Sequence, residues 1–146
     1  MPLQQFDRNG LEVLDRDASL QLLAHATLGR IGVTDRALPT ILPVNFWFDG
    51  DRILVRTGVG TKLHAAAAGT VVAFEVDDFD PMYHSGWSVV ITGPAQEITD
   101  PDDLEGLRHA PLPSWADANG HVIAIDPAIV SGRRIGPGHH QPWSVR

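Results

Sequence analysis

The run from Arg56 to Lys62 holds residue types that could bind an anion. Arg56 offers a planar fork of donors, and Thr57 and Thr61 offer hydroxyls. Gly58 and Gly60 let backbone N–H groups come close to a ligand. Lys62 stands at the start of a helix-prone segment, Leu63 to Ala68, whose N-terminal end favours negative charge. Together these groups make a cradle for one terminal phosphate. The plainer reading is a hairpin exit with a solvated Arg and Lys, and spacing alone does not separate the two.

The remaining polar clusters say less. Asp77, Asp78 and Asp80 lack the glycine and terminal Glu of a calcium-binding loop, so a solvated loop or lid is expected there. His64 reads as a surface or interface residue, His25 and His121 as structural. His84, beside Tyr83, could edge a substrate pocket. His139 and His140 are adjacent in a C-terminal tail, which disfavours joint binding of one metal. No metal site is expected, and no residue stands out as an essential acid or base. The chain has no cysteine, which removes disulfides, thiolate chemistry and Cys-ligated zinc or iron–sulfur centres.

The elements that must position the cradle can be read from alternation and turn signals. Thr40 to Phe48 splits into two faces, with Leu42, Val44, Phe46 and Phe48 inward and Ile41, Pro43, Asn45 and Trp47 outward. Asp49-Gly50 signals a hairpin, and Arg52 to Thr57 is the return strand. Gly69 stops the helix, and Val71 to Val76 is the next strand. Upstream, Asp15 caps a helix over 16–26, and Leu28 to Thr34 is a strand whose two glycines suggest tight curvature. Downstream, a strand runs from Gly86 to Gly93 and on through Thr99. Asp100-Pro101 opens a helix over 102–108, and 121–125 and 129–135 are the last strands. About six short strands with few helices indicate a small antiparallel barrel.

The 146 residues form a single domain, with 1–13 as an arm and 136–146 as a tail. A net charge of −7 argues against generic nucleic-acid binding. No apolar run approaches the ~20 residues of a membrane span, and the N-terminus lacks the pattern of a signal peptide. A cytoplasmic location is expected. Gly58-Val59-Gly60 lacks the third glycine of a dinucleotide-binding turn, and no Gly-Lys-Ser/Thr occurs.

Five segments in order carry a family resemblance: Leu28-Gly-Arg-Ile-Gly-Val33, Leu42-Pro-Val-Asn45, Val55-Arg-Thr57 with Gly60-Thr-Lys-Leu63, Val72-Ala-Phe-Glu-Val-Asp77, and Gly86-Trp-Ser-Val-Val90 with Gly93-Pro-Ala95. In this order and spacing the chain resembles the pyridoxamine 5′-phosphate oxidase-like family of FMN-binding split β-barrels, over roughly residues 12–135. It is closer to the short members, including the nitroimidazole-reductase-like branch, than to the vitamin B6 oxidases. The resemblance implies a mainly β fold with a few short helices, a six-stranded antiparallel split β-barrel. It implies a homodimer with FMN at the subunit interface. The flavin ring would lie against Pro43, Val44 and Asn45, and the phosphate against Arg56, Thr57, Thr61 and Lys62. Trp87 and Ser88 would approach the ring from the other subunit. The B6 oxidases carry Arg-Lys where this chain has Thr61-Lys62, and their C-terminal Trp and Arg match Trp143 and Arg146 only loosely, so vitamin B6 oxidation is not the first expectation.

The function expected is an FMN-dependent oxidoreductase acting on a small organic substrate, with catalytic residues unassigned. The alternatives are an F420-dependent oxidoreductase of the same superfamily and a non-enzymatic flavin- or haem-binding protein.

Overall fold

Strand alternation decides which side chains reach the interior, and the first long strands show it cleanly. β3 (Leu28–Asp35) buries Gly29, Ile31 and Val33, while Arg30 and Thr34 face out. β4 (Leu38–Asn45) buries Val44 and leaves Ile41 and Pro43 exposed. The computed structural model describes residues 3–26, 28–58, 61–112 and 120–136, with Lys62 described by its backbone alone.

The other elements are β1 (Gln5–Phe6), β2 (Glu12–Leu14), α1 (Arg16–His25), β5 (Trp47–Phe48), β6 (Ile53–Thr57) and α2 (Lys62–Ala67). After them come β7 (Thr70–Asp80), β8 (Ser85–Glu97), α3 (Pro101–Gly106), β9 (His121–Ile125) and β10 (Ile129–Ile135). The main path of the sheet runs β1-β2-β10-β8-β7-β3-β4. A branch leaves β8, whose last residues Ala95–Glu97 pair with β9; β9 pairs with β6, and β6 with β5. Every one of these pairings is antiparallel. One long strand, β8, thus serves both halves, and β4 and β6 face each other without a ladder between them. Among the described residues this is a mainly antiparallel β fold with three short helices, a split barrel opened along β4 and β6. No helix among the described residues is long and apolar enough to cross a membrane.

The interior holds Ile31, Val55, Phe74, Val76, Val89, Ile91, Ile123 and Ile125, all close to fully buried. Phe46 meets Phe74 edge-on, with ring centroids 4.9 Å apart. The first glycine of β3, Gly29, has a steric reason. A Cβ on Gly29 would stand 2.3 Å from Phe74 Cζ, so only glycine leaves room for that ring. Gly93 is tighter still: a Cβ there would lie 1.8 Å from the backbone oxygen of Asp126.

The structure adds detail to several expectations and corrects others. The arm at 1–13 contains a small hairpin, β1–β2, that docks on β10. The turn between β3 and β4 is only Arg36-Ala37, both at positive φ (50° and 66°), the conformation of a tight hairpin. The segment 77–85 is no irregular lid: β7 runs on to Asp80, and the turn is held by Asp80 Oδ1 accepting from the N–H groups of Met82 and Tyr83. Strand pairing across Asp78↔Trp87 and Asp80↔Ser85 overrides the polar composition. The strand expected over 40–48 breaks at Phe46, and α3 starts at Pro101 with Asp100 at its N-cap as expected, but without a side-chain cap bond.

Trp47 keeps the outward register but is half-covered by its own chain. It packs on a second apolar cluster of Leu54, Ile98, Leu107, Leu112 and Val122, built on the outer face of β6 and β9 under the α3 segment. That leaves Ile41, 72% exposed, and Pro43 as the uncovered part of the face. Val71, Val90 and Ile129 stand exposed on neighbouring strands.

Candidate functional site

Where β4 and β6 part, a cleft of about 230 Å³ opens. Pro43, Val44 and Asn45 supply one wall from β4. Arg56 and Thr57 of β6, with Gly58 just after it, supply the other, and Thr61 and Leu63 at the start of α2 close the end. Six residues singled out from the sequence, Pro43, Val44, Asn45, Arg56, Thr57 and Thr61, therefore line one cavity. Lys62 begins α2 directly after Thr61, and its side chain lies outside the described residues. So do Gly60, Trp143 and Arg146, and the His139-His140 pair.

The donors of this cleft differ in how free they are. The Arg56 side chain forms no ion pair with any described residue, and its Nε is buried without a hydrogen-bond partner. Thr57 is buried, and its hydroxyl donates to the His121 carbonyl over a long 3.5 Å, a weak commitment. Thr61 is more committed than expected. Its hydroxyl donates to the Gly58 carbonyl at 3.0 Å and accepts from the His64 N–H at 3.2 Å, which makes it the N-cap of α2. Both bonds shape the loop that leads into α2. A Cβ at Gly58 would press on Thr61 Cγ2 at 3.0 Å, so the loop is closely folded at that point.

Trp87 and Ser88 lie elsewhere in the chain. They neighbour each other on β8, opposite Asp77–Asp78 of β7 and Arg133–Arg134 of β10. Trp87 lines a cleft of about 220 Å³ with Phe79, Ser88 and Ile135, and on its other side a space of about 460 Å³ with Leu22, His25 and Leu28. Neither includes any residue of the β4–β6 cleft. His84 sits in the β7–β8 turn at positive φ, and His25 hydrogen-bonds the Gln21 carbonyl on α1.

A cluster that the sequence reading missed lies behind the two threonines. His64 of α2, Glu97 at the end of β8 and His121 at the start of β9 converge, with their ligand-type atoms all within 4.8 Å of one another. The nearby His64 and His121 rings hold the Glu97 carboxyl below the usual carboxylate range, against the opposing effect of burial. The three come from separate elements, so no local spacing could signal them. The only trace in the sequence is that strand 121–125 begins with a histidine.

A family model described as pyridoxamine 5′-phosphate oxidase matches residues 15–134. The chain belongs to this family. An uncharacterised Mycobacterium tuberculosis protein, Rv0080, is 43% identical over 128 residues, covering 84% of each chain. The structure of an FAD-binding protein from Mycobacterium smegmatis matches with a TM-score of 0.74 and 35% identity, over 85% of this chain and 98% of that one. An FAD- and haem-binding protein from Mycobacterium smegmatis shares the fold at 18% identity, with a TM-score of 0.68, over 86% of this chain and 73% of that one. Membership in a flavin-binding split-barrel family fits a cleft that offers a free guanidinium at one end and an apolar strand along one wall.

Proposed function

We propose that this chain is a flavin-dependent oxidoreductase that holds FMN in the β4–β6 cleft and acts on a small organic substrate. The observation that carries this reading is Arg56. A guanidinium with a buried, unpaired Nε leaves donors that an outside anion can satisfy, and its planar fork suits a phosphate. The cleft has no carboxylate among its lining residues to compete for it.

The residues then divide the work. Arg56 holds the phosphate, with Lys62 as the second cation and Thr57 as a hydroxyl donor. Pro43 and Val44 give an apolar surface for a flat ring, and the Asn45 amide offers both a donor and an acceptor to a polar ring edge. Leu63 keeps water from the end of the cleft. Bound flavin would supply hydride acceptance and onward electron transfer, while the protein supplies binding, orientation and electrostatics.

A homodimer completes the reading. The uncovered apolar face at Ile41, Pro43, Val71, Val90 and Ile129 is a surface for a second copy, and Trp87 and Ser88 of the partner subunit would meet the ring.

FAD is the second reading, supported by the FAD-binding relative at 35% identity. Both flavins carry a phosphate on the ribityl chain, so the Arg56 cradle serves either. The test is the absorbance spectrum of the purified protein, followed by chromatography of the flavin released on denaturation. Two visible flavin bands and FMN in the extract support the proposal, and FAD in the extract moves it to the second reading. A Soret band or a single deazaflavin band would overturn both.

A further inference from the structure

We propose that His64, Glu97 and His121 form a binding site for a divalent first-row transition ion of the zinc type, independent of the cofactor in the cleft. The site would use two imidazole nitrogens and one carboxylate oxygen, with water in the remaining positions.

The geometry is that of a convergent ligand set. His64 Nε2 lies 3.1 Å from Glu97 Oε2, and His121 Nδ1 sits against Glu97 Oε1. The two imidazole rings are 4.4 Å apart between centroids and tilted by 37°. The side chains retain 23%, 26% and 35% of their exposure in the order His64, Glu97, His121, so an ion and its waters have a path in. Two nitrogens and one carboxylate suit zinc, iron(II) or cobalt(II), and disfavour magnesium and calcium, which take oxygen.

The backbone holds these residues in place without any ion. The His64 N–H is bonded to the Thr61 cap and its carbonyl accepts from Ala68. Glu97 pairs with Ile123 across β8–β9, and His121 pairs with Thr57 across β6–β9. Three elements therefore present their ligands from fixed ladders and a capped helix turn.

The competing account is a plain hydrogen-bonded bridge, one carboxylate between two histidines. That bridge leaves a fault. Among the described residues His64 Nε2 is buried without an aligned hydrogen bond, although Glu97 Oε2 stands 3.1 Å away. Buried polar atoms without partners are uncommon and call for an explanation. An ion at about 2.0–2.1 Å from each nitrogen gives this atom its partner.

The site also touches the cleft through two bonds. Thr57 donates to the His121 carbonyl, and Thr61 accepts from the His64 N–H. An ion would pin α2 to β8 and β9 directly behind the threonines that line the cleft.

The experiment is calorimetric titration of the chelator-treated full chain with Zn²⁺ alone, repeated with Co²⁺ to read its visible absorption. One Zn²⁺ per chain is expected, with a cobalt spectrum of low-symmetry, nitrogen-containing coordination. Glu97→Gln keeps the shape of the side chain and should weaken Zn²⁺ binding by at least about a hundredfold, since even groups that only support ligands matter 10- to 100-fold. His121→Ala should do the same, and if that variant fails to fold, Glu97→Gln decides. A His139→Ala/His140→Ala variant should bind as the parent does. Absence of saturable Zn²⁺ binding at micromolar concentration overturns the proposal. So does binding that survives Glu97→Gln and is lost in the tail variant.

Discussion

Two arginines stand at opposite ends of β6, Arg52 just before it and Arg56 near its end, and they live in opposite circumstances. Arg52 is enclosed by anions. Its Nε donates to Asp49 at 3.1 Å, and its two terminal nitrogens grip Asp103 at 3.0 and 2.9 Å. Arg56, at the other end, has no anionic partner among the described residues and keeps a buried Nε unpaired. The first arrangement ties the β5–β6 turn to α3 and is complete within the chain. The second is incomplete, and leaving a buried donor unmade costs about 1–3 kcal/mol. A fold that satisfies one arginine so fully and leaves its neighbour open points to an anion from outside at the open end.

The comparison can be broken most forcefully at Arg56. Charge-assisted bonds are worth about 1.5–3 kcal/mol, so Arg56→Ala should weaken FMN binding by roughly ten- to a hundredfold. Its stability without ligand should be unchanged or slightly higher in denaturant unfolding. Lys62→Ala comes next: loss of a single ammonium should cost about tenfold in FMN affinity, with riboflavin binding unaffected. Arg52→Ala should do the reverse. It should lower unfolding stability by about 1 kcal/mol, the scale of a half-exposed pair with good geometry, and leave FMN affinity as it was.

The smallest effect lies in acid. Hydrogen bonding to Arg52 holds the Asp103 carboxyl below its ordinary range. For Asp49 burial pushes upward, but the N–H groups of Arg52 and Asp51 and the Arg52 guanidinium outweigh it. Both carboxyls therefore titrate lower in the folded chain than unfolded. The stability they add is fully present above the unfolded value of about 3.9 and is lost as pH falls through the folded values. Denaturant midpoints measured across acid pH should drop below about pH 4. Asp103→Asn should flatten part of that drop. A drop of the same size in Asp103→Asn would mean that the Arg52 cluster is not its source.

Much of this was legible in the sequence because it is local. The inward and outward sets of 41–48 followed from alternation alone, and Asp15 at the α1 cap is a short-range bond, with the Ala18 N–H donating at 2.8 Å. The meeting of Arg56, Thr57, Gly58 and Thr61 at one cleft was legible for the same reason: they follow one another closely from the end of β6 to the start of α2, with the turn closed by Thr61 on Gly58. What was hidden depends on the ladder. The polar segment 77–80 gave no strand signal, and only its register against β8 makes it one. The cover over Trp47 comes from Leu107 and Leu112, far along the chain. Thr61 read as a free hydroxyl because its bond to the His64 N–H is a property of the helix start and not of composition. The meeting of His64, Glu97 and His121 needed the branch of the sheet at β8 before it existed at all.

The central claim is that the open end of β6 binds the phosphate of a flavin through Arg56. The direct measurement is a fluorescence titration of the parent chain and Arg56→Ala with FMN and with riboflavin. The account predicts that Arg56→Ala loses roughly ten- to a hundredfold in affinity for FMN while riboflavin, which has no phosphate, binds both proteins alike. Equal losses for the two ligands, or no loss for either, would contradict it.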